Sequence, residues 1–282
     1  MHTQEKLHKL QELLTEMGSI AVAYSGGIDS TFLLKVAHDC LGENAVALTA
    51  VSASLPAQEL AEAEKIAHQI GARHVRIESL ETQDPRYLAN TSARCYFCKT
   101  EVYTELVDYS RENGYAWVVD GSNLDDVGDH RPGRQAASEH GVRSPLHEVG
   151  LVKEEIRQLA RQAGLPNWDK PAAACLSSRI PYGTLISLEM LSQVEQAEQV
   201  LRQLGIHQVR VRHHESIARI EVEPQDFQLI MQHREMINTA LHALGYTYIA
   251  LDLAGFKSGS LNARLSKEGD GSGGTIITQT RP

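Results

Sequence analysis

Six residues near the N-terminus, Ser25-Gly-Gly-Ile-Asp-Ser30, have types and spacing suited to binding phosphate. They follow an apolar run, Ile20–Ala23, that predicts a short buried strand, and they precede a run that predicts a helix. The two glycines let the backbone turn tightly against a ligand, while the two serines and the free amides of the first helical turn supply hydrogen-bond donors. The sequence therefore predicts an anion site between a strand and a helix.

Asp29 gives this loop a carboxylate that can hold Mg²⁺ or cap the helix. An ordinary glycine-rich turn between strand and helix, with Asp29 as a plain cap, is the competing interpretation. No lysine follows the glycines, so the loop is not of the P-loop NTPase type.

Three cysteines form a second group of candidate functional residues. Cys95 and Cys98 form a Cys-x-x-Cys pair, and Cys175 lies among small residues in a polar stretch bounded by prolines. The pair can bind a metal or cluster, form a redox disulfide or fill space, and further metal ligands must come from elsewhere. Ser178 and Arg179 add donors for a phosphate or carboxylate, and Arg179 also favours an ionised thiol. An inert buried thiol is the competing interpretation for Cys175.

Polar residues also follow two further predicted strands. Ser52 comes directly after the apolar run Ala45–Val51, and a run from Ala116 ends at Gly121. We expect these residues on the same ligand-binding edge as the phosphate loop, because the carboxyl ends of parallel strands share one edge. A solvated polar loop with Asx turns is the alternative for the stretch after Gly121. That stretch offers carboxylates for Mg²⁺ or a cationic ring and arginines for an anion: Asp125, Asp126, Asp129, Arg131 and Arg134.

The composition indicates a globular protein and narrows its partners. The 282 residues carry a formal net charge of −9 with a pI near 5.8, which argues against a nucleic-acid partner. Apolar runs are much shorter than a membrane span and the first residues lack a secretory pattern, so we expect no membrane partner and a cytoplasmic location. Four cysteines in that setting favour thiol, metal or catalytic roles over disulfides, with packing as the simplest role for Cys40.

The elements that must position these residues alternate between strand and helix. An amphipathic helix ends near Gly18, and short turns separate the later elements. This alternation predicts an α/β fold with a parallel, doubly wound sheet and helices on both faces. The elements predicted after the phosphate loop include a helix at Ala57–Ile70, strands at His74–Ile77 and Val142–Leu146, and a helix at Lys153–Ala163.

A smaller α+β domain is predicted to follow. Arg210, Arg212 and Arg219 fall on the polar side of its strands, which suits an anionic ligand or a subunit contact, with solvated charges as the competing interpretation. Its predicted elements are a helix capped by Ser187 and running to Leu204, strands at His207–His214 and Ile217–Val222, a helix at Gln225–Leu244, and a strand at Tyr248–Leu253. We therefore predict a first domain at 1–168, a cysteine-bearing connector at 169–186, the small domain at 187–262 and a flexible tail at 263–282.

Three motifs together resemble the LarE family of the ATP pyrophosphatase superfamily. They are Ser25–Ser30, Gly121–Gly133 and Lys170–Gly183, and the likeness extends from Met1 to about Asn262. The first motif alone indicates only the superfamily, whereas the cysteine motif separates this family from NAD, GMP and asparagine synthetases. The resemblance implies an adenine nucleotide alpha hydrolase-like PP-loop domain and assembly as a homo-oligomer.

The resemblance also implies a reaction. Members adenylate a carboxylate of pyridinium-3,5-biscarboxylic acid mononucleotide with ATP and Mg²⁺, release pyrophosphate, and replace AMP with sulfur. The thiocarboxylate product, after a second round, serves the nickel-pincer cofactor of lactate racemase. By this resemblance ATP and pyrophosphate would be bound by Ser25, Gly26, Gly27, Asp29 (with Mg²⁺), Ser30, Ser52 and Gly121. The substrate would be bound by Asp126, Arg134, Ser178, Arg179, Arg210 and Arg212.

The sulfur source divides the family. Some members sacrifice the sulfur of a cysteine at the position of Cys175, whereas others hold a 4Fe-4S cluster on three cysteines and carry an extra sulfide from an outside sulfide source. Cys95, Cys98 and Cys175 resemble the second type, with Cys175 as the catalytic cysteine. Zinc on the same three thiols, a tRNA thiolase and a non-catalytic nucleotide-binding or cluster-carrier module stay open as alternatives, although the acidic composition disfavours an RNA substrate.

Overall fold

The computed structural model describes residues 2–128, 132–171 and 173–257. The chain divides into two compact units, of which the first comprises the residues up to Ser177 together with Gly183–Leu191. The second comprises Ser178–Tyr182 and the residues from Ser192 onward. Asp129, Arg131, residues 258–262 and the predicted tail lie outside the described residues. The domain boundaries given above stay predictions.

A four-stranded parallel sheet forms the centre of the first unit. Its strands are β1 (Ile20–Ala23), β2 (Ala45–Val51), β3 (Arg73–Glu78) and β4 (Trp117–Val119). They lie in the order β3-β2-β1-β4, so β1 has β2 on one side and β4 on the other. In such a sheet the strand order reverses next to β1, and a crevice for ligands opens where the carboxyl ends of the two strands diverge. Here that crevice lies between β1 and β4.

Helices cover both faces of this sheet. Ile20 and Val22 pack into one core with α1, α2 and α8, whereas Ala21 packs into a core on the opposite face with α5 and α6. Because successive side chains of a strand point to opposite faces of the sheet, β1 supplies apolar residues to the helix layers on both faces. The predicted α/β doubly wound class is confirmed. The helices are α1 (Thr3–Met17), α2 (Ile28–Leu41), α3 (Ala57–Ile70), α4 (Pro85–Leu88), α5 (Arg94–Glu112), α6 (Pro132–Glu139), α7 (Pro145–Glu148) and α8 (Lys153–Gln162).

The strand predicted at Val142–Leu146 is wrong. Arg143 forms only an isolated parallel bridge with Val119, and α7 begins two residues later. Pro145 explains the difference, because proline has no amide for a strand ladder and is favoured in the first turn of a helix.

The second unit is a small mixed sheet packed on helices. Its sheet has the order β5-β6-β7, with β5 and β6 antiparallel and β6 and β7 parallel. Val211 and Ile220 pack with Leu241 in its core. The helix predicted at Gln225–Leu244 is interrupted at His233, whose backbone leaves the helical region. The elements are α9 (Leu188–Arg202, starting in the first unit), β5 (Val209–His214), β6 (Ile217–Val222), α10 (Phe227–Gln232), α11 (Arg234–Ala243) and β7 (Tyr248–Leu251).

Not one helix in residues 2–128, 132–171 and 173–257 combines the length and the apolar character needed to cross a bilayer.

Candidate nucleotide and sulfur site

The phosphate loop turns between β1 and α2 in the way its glycines require. Gly26 has a φ of +71°, and a Cβ atom there would lie 2.8 Å from the Cβ of Ala63, so both the backbone and the available space require glycine. The hydroxyl oxygens of Ser25 and Ser30 lie 3.2 Å apart and close the loop. Gly27 is the N-cap residue of α2 and supplies no side-chain cap, which favours anion binding by the first amides of the helix.

The carboxyl end of β4 reaches this helix terminus through Gly121. A Cβ atom at Gly121 would lie 2.7 Å from the backbone nitrogen of Ser30 and 3.0 Å from the carbonyl carbon of Asp29. Both neighbours are backbone atoms of α2, so only glycine permits this approach. The loop after β1 and the end of β4 therefore meet, as the sequence predicts for residues on one edge.

Asn167 supports the same loop and is a residue that sequence reasoning missed. Its Nδ2 atom donates to the carbonyl oxygen of Gly26 at 3.0 Å and to the hydroxyl of Thr31 at 2.9 Å. Asn167 is buried, and it lies between two prolines in a stretch whose composition predicts only a connector. No local pattern in the sequence marks its distant partner.

A lysine does reach the phosphate loop, although none follows the glycines in sequence. Lys153, the first residue of α8, donates through Nζ to the Asp29 carboxylate, and Asn123 donates to the same carboxylate at 3.4 Å. Burial raises the pKa of Asp29, and the Lys153 ammonium opposes that shift. Asp29 is the second residue of α2 and does not cap it. Sequence reasoning missed Lys153 because the two residues are 124 positions apart.

The polar stretch after β4 is organised by its own hydrogen bonds. Asn123 accepts from the Asp125 amide at 3.0 Å, and the Asp126 carboxylate accepts from the Asn123 amide at 3.0 Å. Arg134 donates to the carbonyl oxygen of Asp126 at 3.2 Å, and the Lys153 amide donates to the Asp125 carboxylate at 2.7 Å. Asx-type bonds therefore shape this loop, and the charge of Asp126 contributes to the raised pKa of Asp29.

Ser52 belongs to a buried network around a carboxylate that sequence reasoning also missed. Glu81 is 2% exposed and accepts hydrogen bonds from the hydroxyls of Ser52, Ser54 and Ser79. The hydroxyls replace the water that the carboxylate loses on burial. Glu81 follows β3 in a short turn, and nothing in its local sequence distinguishes it from a solvated surface residue.

The three cysteines share one neighbourhood of the first unit. Cys95 and Cys98 lie in the first turns of α5, three residues apart and hence on one side of it, and only Cys95 is well exposed. Burial, then the charges of Glu81 and Cys175, raise the pKa of Cys98 to about 12, with a smaller contribution from Cys95. Across residues 2–128, 132–171 and 173–257, no three His, Cys, Asp or Glu side chains are already grouped as metal ligands.

Three arginines of the second unit are buried, and two of them, Arg210 and Arg212, lie on the face of β5 that the alternation predicts to be solvated. Arg179 donates to Glu198 at 2.8 Å, and Arg212 donates to Glu221 at 3.0 Å and to the Ser178 carbonyl oxygen at 2.6 Å. The interpretation of Arg210 and Arg212 as solvated charges is wrong, since they are only 8% and 3% exposed. Arg219 pairs with Glu221 and Asp252 at the edge of this cluster.

Arg210 differs from the other arginines of this cluster. Its guanidinium lies 4.7 Å from the centre of the Phe256 ring and, within the described residues, makes no ion pair. Burial, together with the positive charges of Arg179 and Arg212, lowers the pKa of Arg210 to about 10. A buried cation among other cations favours an anionic ligand.

A glycine and serine loop at the reversal point of a parallel sheet, followed by a small mixed-sheet unit, defines an α/β protein of the PP-loop type. No family model matches the sequence. The chain is 41% identical to the pyridinium-3,5-bisthiocarboxylic acid mononucleotide synthase of Lactiplantibacillus plantarum, over 90% of this chain and 92% of that protein. It is therefore a member of the LarE family, to which that synthase belongs, and the resemblance seen in the motifs is confirmed.

Two uncharacterized relatives extend the comparison. A protein of Synechocystis sp. is 47% identical over 94% of this chain and 99% of its own length. A protein of Methanocaldococcus jannaschii is 27% identical over 90% of this chain and 98% of its own length. Both sequence similarities therefore extend over nearly the whole chain and include both units.

Replacing Gly121 by alanine tests the contact between β4 and α2. The added methyl group must displace the backbone of Ser30 and Asp29, so we expect Gly121→Ala to weaken ATP binding by about tenfold or more, as overpacking of about 1–3 kcal/mol implies. Isothermal titration with a non-hydrolysable ATP analogue measures the change. Gly133→Ala is the matched control, because its nearest neighbour is the flexible Lys99 side chain. Equal affinity in Gly121→Ala and wild type would contradict the described contact.

Thiol alkylation tests the environment of Cys98. A thiol with a pKa of about 12 has about one thiolate in a thousand at pH 9, and only the thiolate reacts. We expect iodoacetamide to label Cys98 much more slowly than the exposed Cys95, with the Cys98 rate rising about tenfold per pH unit between pH 7 and 9. Peptide mass spectrometry of the metal-free protein measures both rates. Equal labelling of the two cysteines at pH 7.5 would show that burial does not protect Cys98.

Proposed function

We propose that this protein is an ATP-dependent sulfur transferase acting on pyridinium-3,5-biscarboxylic acid mononucleotide. It adenylates a substrate carboxylate, releases pyrophosphate, and replaces AMP with sulfur to give a thiocarboxylate. The carboxylate must be activated before sulfur can replace an oxygen, because a carboxylate oxygen is a poor leaving group, and adenylation provides AMP as a good one. The observation that carries the proposal is the anion site at the start of α2, bordered by Gly121 and Lys153, in a chain of the LarE family.

The phosphate loop binds the leaving pyrophosphate in this proposal. Ser25, Ser30 and the first amides of α2 donate to its oxygens, and Lys153 neutralises part of its charge. Asp29 offers Mg²⁺ a partly buried carboxylate as an oxygen ligand, and Mg²⁺ would have to compete for it with Lys153. Mg²⁺, when bound, would compensate the charge that builds on the leaving group. Ser52 and Gly121 would line the nucleotide on the same edge of the sheet.

The second unit binds the phosphate of the mononucleotide in this proposal. Arg210 is the strongest candidate, since it makes no ion pair within the described residues and lies among other arginines. Arg179, Arg212 and Ser178 shape the site around it through the Glu198 and Glu221 contacts. Asp126 and Arg134, which belong to the first unit, stay predicted substrate-binding residues.

Cys175 is the proposed catalytic cysteine, and Cys95 and Cys98 complete its set of thiols. A 4Fe-4S cluster fits the chemistry of three soft thiolate donors, and a cluster bound by three residues keeps one iron for an extra sulfide. When bound, it would supply the sulfur that replaces AMP. The thiols are neighbours, although no preformed group of three ligands is found in the described part of the chain. A cytoplasmic location, an outside sulfide source and assembly as a homo-oligomer stay predictions.

Exchange of labelled pyrophosphate into ATP tests the adenylation step. We expect exchange only when the biscarboxylated pyridinium mononucleotide is present, under anaerobic conditions with Mg²⁺. Lys153→Met should lower the exchange rate about tenfold to a thousandfold, the effect of removing one charged donor from a developing anion. Arg210→Gln should instead raise the mononucleotide KM about tenfold, by the loss of one charge-assisted bond.

Lys35→Met is the matched control for Lys153→Met. Lys35 lies on α2 and pairs with Asp39 by a helical i,i+4 contact, so its loss should leave exchange unchanged. Exchange that proceeds without the mononucleotide, or that keeps the wild-type rate in Lys153→Met, would contradict the proposal.

Separate alanine variants of the four cysteines test the sulfur source. We expect Cys95→Ala, Cys98→Ala and Cys175→Ala each to lose iron and sulfide in anaerobic reconstitution, whereas Cys40→Ala keeps both, because Cys40 packs against the core of the first unit. Iron analysis and electronic spectra measure this. Full iron content in the three variants would defeat the cluster. Protein lighter by about 34 Da after turnover, the mass of H₂S, would identify Cys175 as a sacrificial donor instead.

A further inference from the structure

A buried hydrogen-bond cluster of the first unit joins the connector to the helix that carries Cys95 and Cys98. Arg94, the first residue of α5, is 2% exposed, and its Nη1 atom donates to the carbonyl oxygen of Ser177 at 2.9 Å. Arg94 directly precedes Cys95, and Ser177 lies two residues after Cys175. One guanidinium group therefore fixes the spacing between the two segments that carry the thiols.

Asn90 extends this cluster to a later part of the connector. Its Oδ1 atom accepts from Arg94 Nη1 at 2.5 Å, its Nδ2 atom donates to Thr184 O at 2.9 Å, and its carbonyl oxygen accepts from the Gly183 amide at 3.0 Å. Asn90 is fully buried and has a φ of +52°. Asparagine tolerates this left-handed conformation better than most residues. The chain entering and the chain leaving Ser178–Tyr182 are thus both held by the Asn90–Arg94 pair.

Two more contacts restrict the segment around Cys175. The Leu176 amide donates to the carbonyl oxygen of Ser54 at 2.8 Å, and the hydroxyls of Tyr87 and Ser177 are hydrogen-bonded to each other. Leu176 and Ser177 are both fully buried, although Cys175 beside them is only half-buried. Cys175 is therefore partly exposed, while the backbone that follows it is held by these contacts.

We propose that Arg94 and Asn90 are positioning residues that set the place of the Cys175 thiol relative to Cys95 and Cys98. This inference rests on the proposed sulfur transfer for the role of the positioned thiol. The hydrogen bonds that hold the connector do not depend on that reaction. Both bonds come from the single guanidinium nitrogen Nη1. Glutamine is too short to bring its amide nitrogen to both acceptors, whereas lysine keeps the charge and most of the length without the planar group. Loss of either residue should free Cys175 while leaving the spacing within α5 intact.

Cross-linking with dibromobimane tests this inference in the metal-free, full-length protein. The reagent joins two nearby thiols, each sulfur displacing one bromide, and peptide mass spectrometry separates Cys95–Cys98 products from those that contain Cys175. We expect Arg94→Gln to slow cross-linking to Cys175 about tenfold, the loss expected for one buried charge-assisted contact. The Cys95–Cys98 product should form at the wild-type rate. Arg94→Lys should fall between the two.

Asn90→Gly is the second variant and keeps the inference testable if Arg94→Gln does not fold. Glycine adopts the positive φ at no steric cost, so this variant removes the side chain while keeping the turn. It should also slow only the products that contain Cys175. Arg111→Gln, on an exposed part of α5, is the control and should change neither product.

Three results would overturn the inference. They are wild-type cross-linking of Cys175 in the folded variants, an equal loss of both products, and a wild-type protein that gives no product containing Cys175. Circular dichroism confirms folding in each case. The assay uses neither ATP nor the mononucleotide, so its outcome is independent of whether adenylation is detected.

Discussion

The close approach of Gly121 to the first turn of α2 is the contact on which the rest of the site depends. It brings the carboxyl end of β4 against the amides that a phosphate would use, so close that a Cβ atom on Gly121 would lie only 2.7 Å from the Ser30 nitrogen. The order β3-β2-β1-β4 makes this contact possible, because it places β1 and β4 side by side although they are far apart in the sequence. The phosphate loop, Lys153 and Asn167 then gather around the same helix terminus.

Ion pairing between buried arginines and glutamates is the second feature that organises the protein. Buried ion pairs such as Arg179–Glu198 and Arg212–Glu221 contribute little net stability, because desolvation offsets most of the attraction. Their value lies in geometry, since a hydrogen-bonded guanidinium holds its neighbours in one arrangement. Arg210 stands out against this background, because it contacts the Phe256 ring and makes no direct ion pair within the described residues, although Glu198 and Glu221 lie near enough to act on its charge. A ligand phosphate would supply the missing charge in the proposed reaction.

The sequence predicted the architecture well because buried strands and amphipathic helices leave local patterns. Ala57–Ile70 and Ile217–Val222 have the predicted bounds, and Ser187 accepts from the Met190 amide as an N-cap residue should. The strand at Val142–Leu146 failed because Pro145 changes the local preference. A local sequence pattern predicts whether an element is a strand or a helix, but a single proline can turn an apolar run that looks like a strand into the start of a helix.

The site was only partly predictable, because the hydrogen-bond partners of Lys153, Asn167 and Glu81 are distant in the sequence or carry no recognisable pattern. The buried face of β5 was also invisible, since alternating arginines look the same whether water or carboxylates surround them.

In the proposed reaction, a substrate carboxylate attacks the α-phosphate of ATP at the loop before α2. Substrate labelled with ¹⁸O in its carboxylates tests this most directly, since adenylation followed by displacement leaves one substrate oxygen on AMP. We expect AMP from each turnover to carry one ¹⁸O atom and pyrophosphate to carry none. Unlabelled AMP, or label found in phosphate or pyrophosphate, would contradict the proposed reaction.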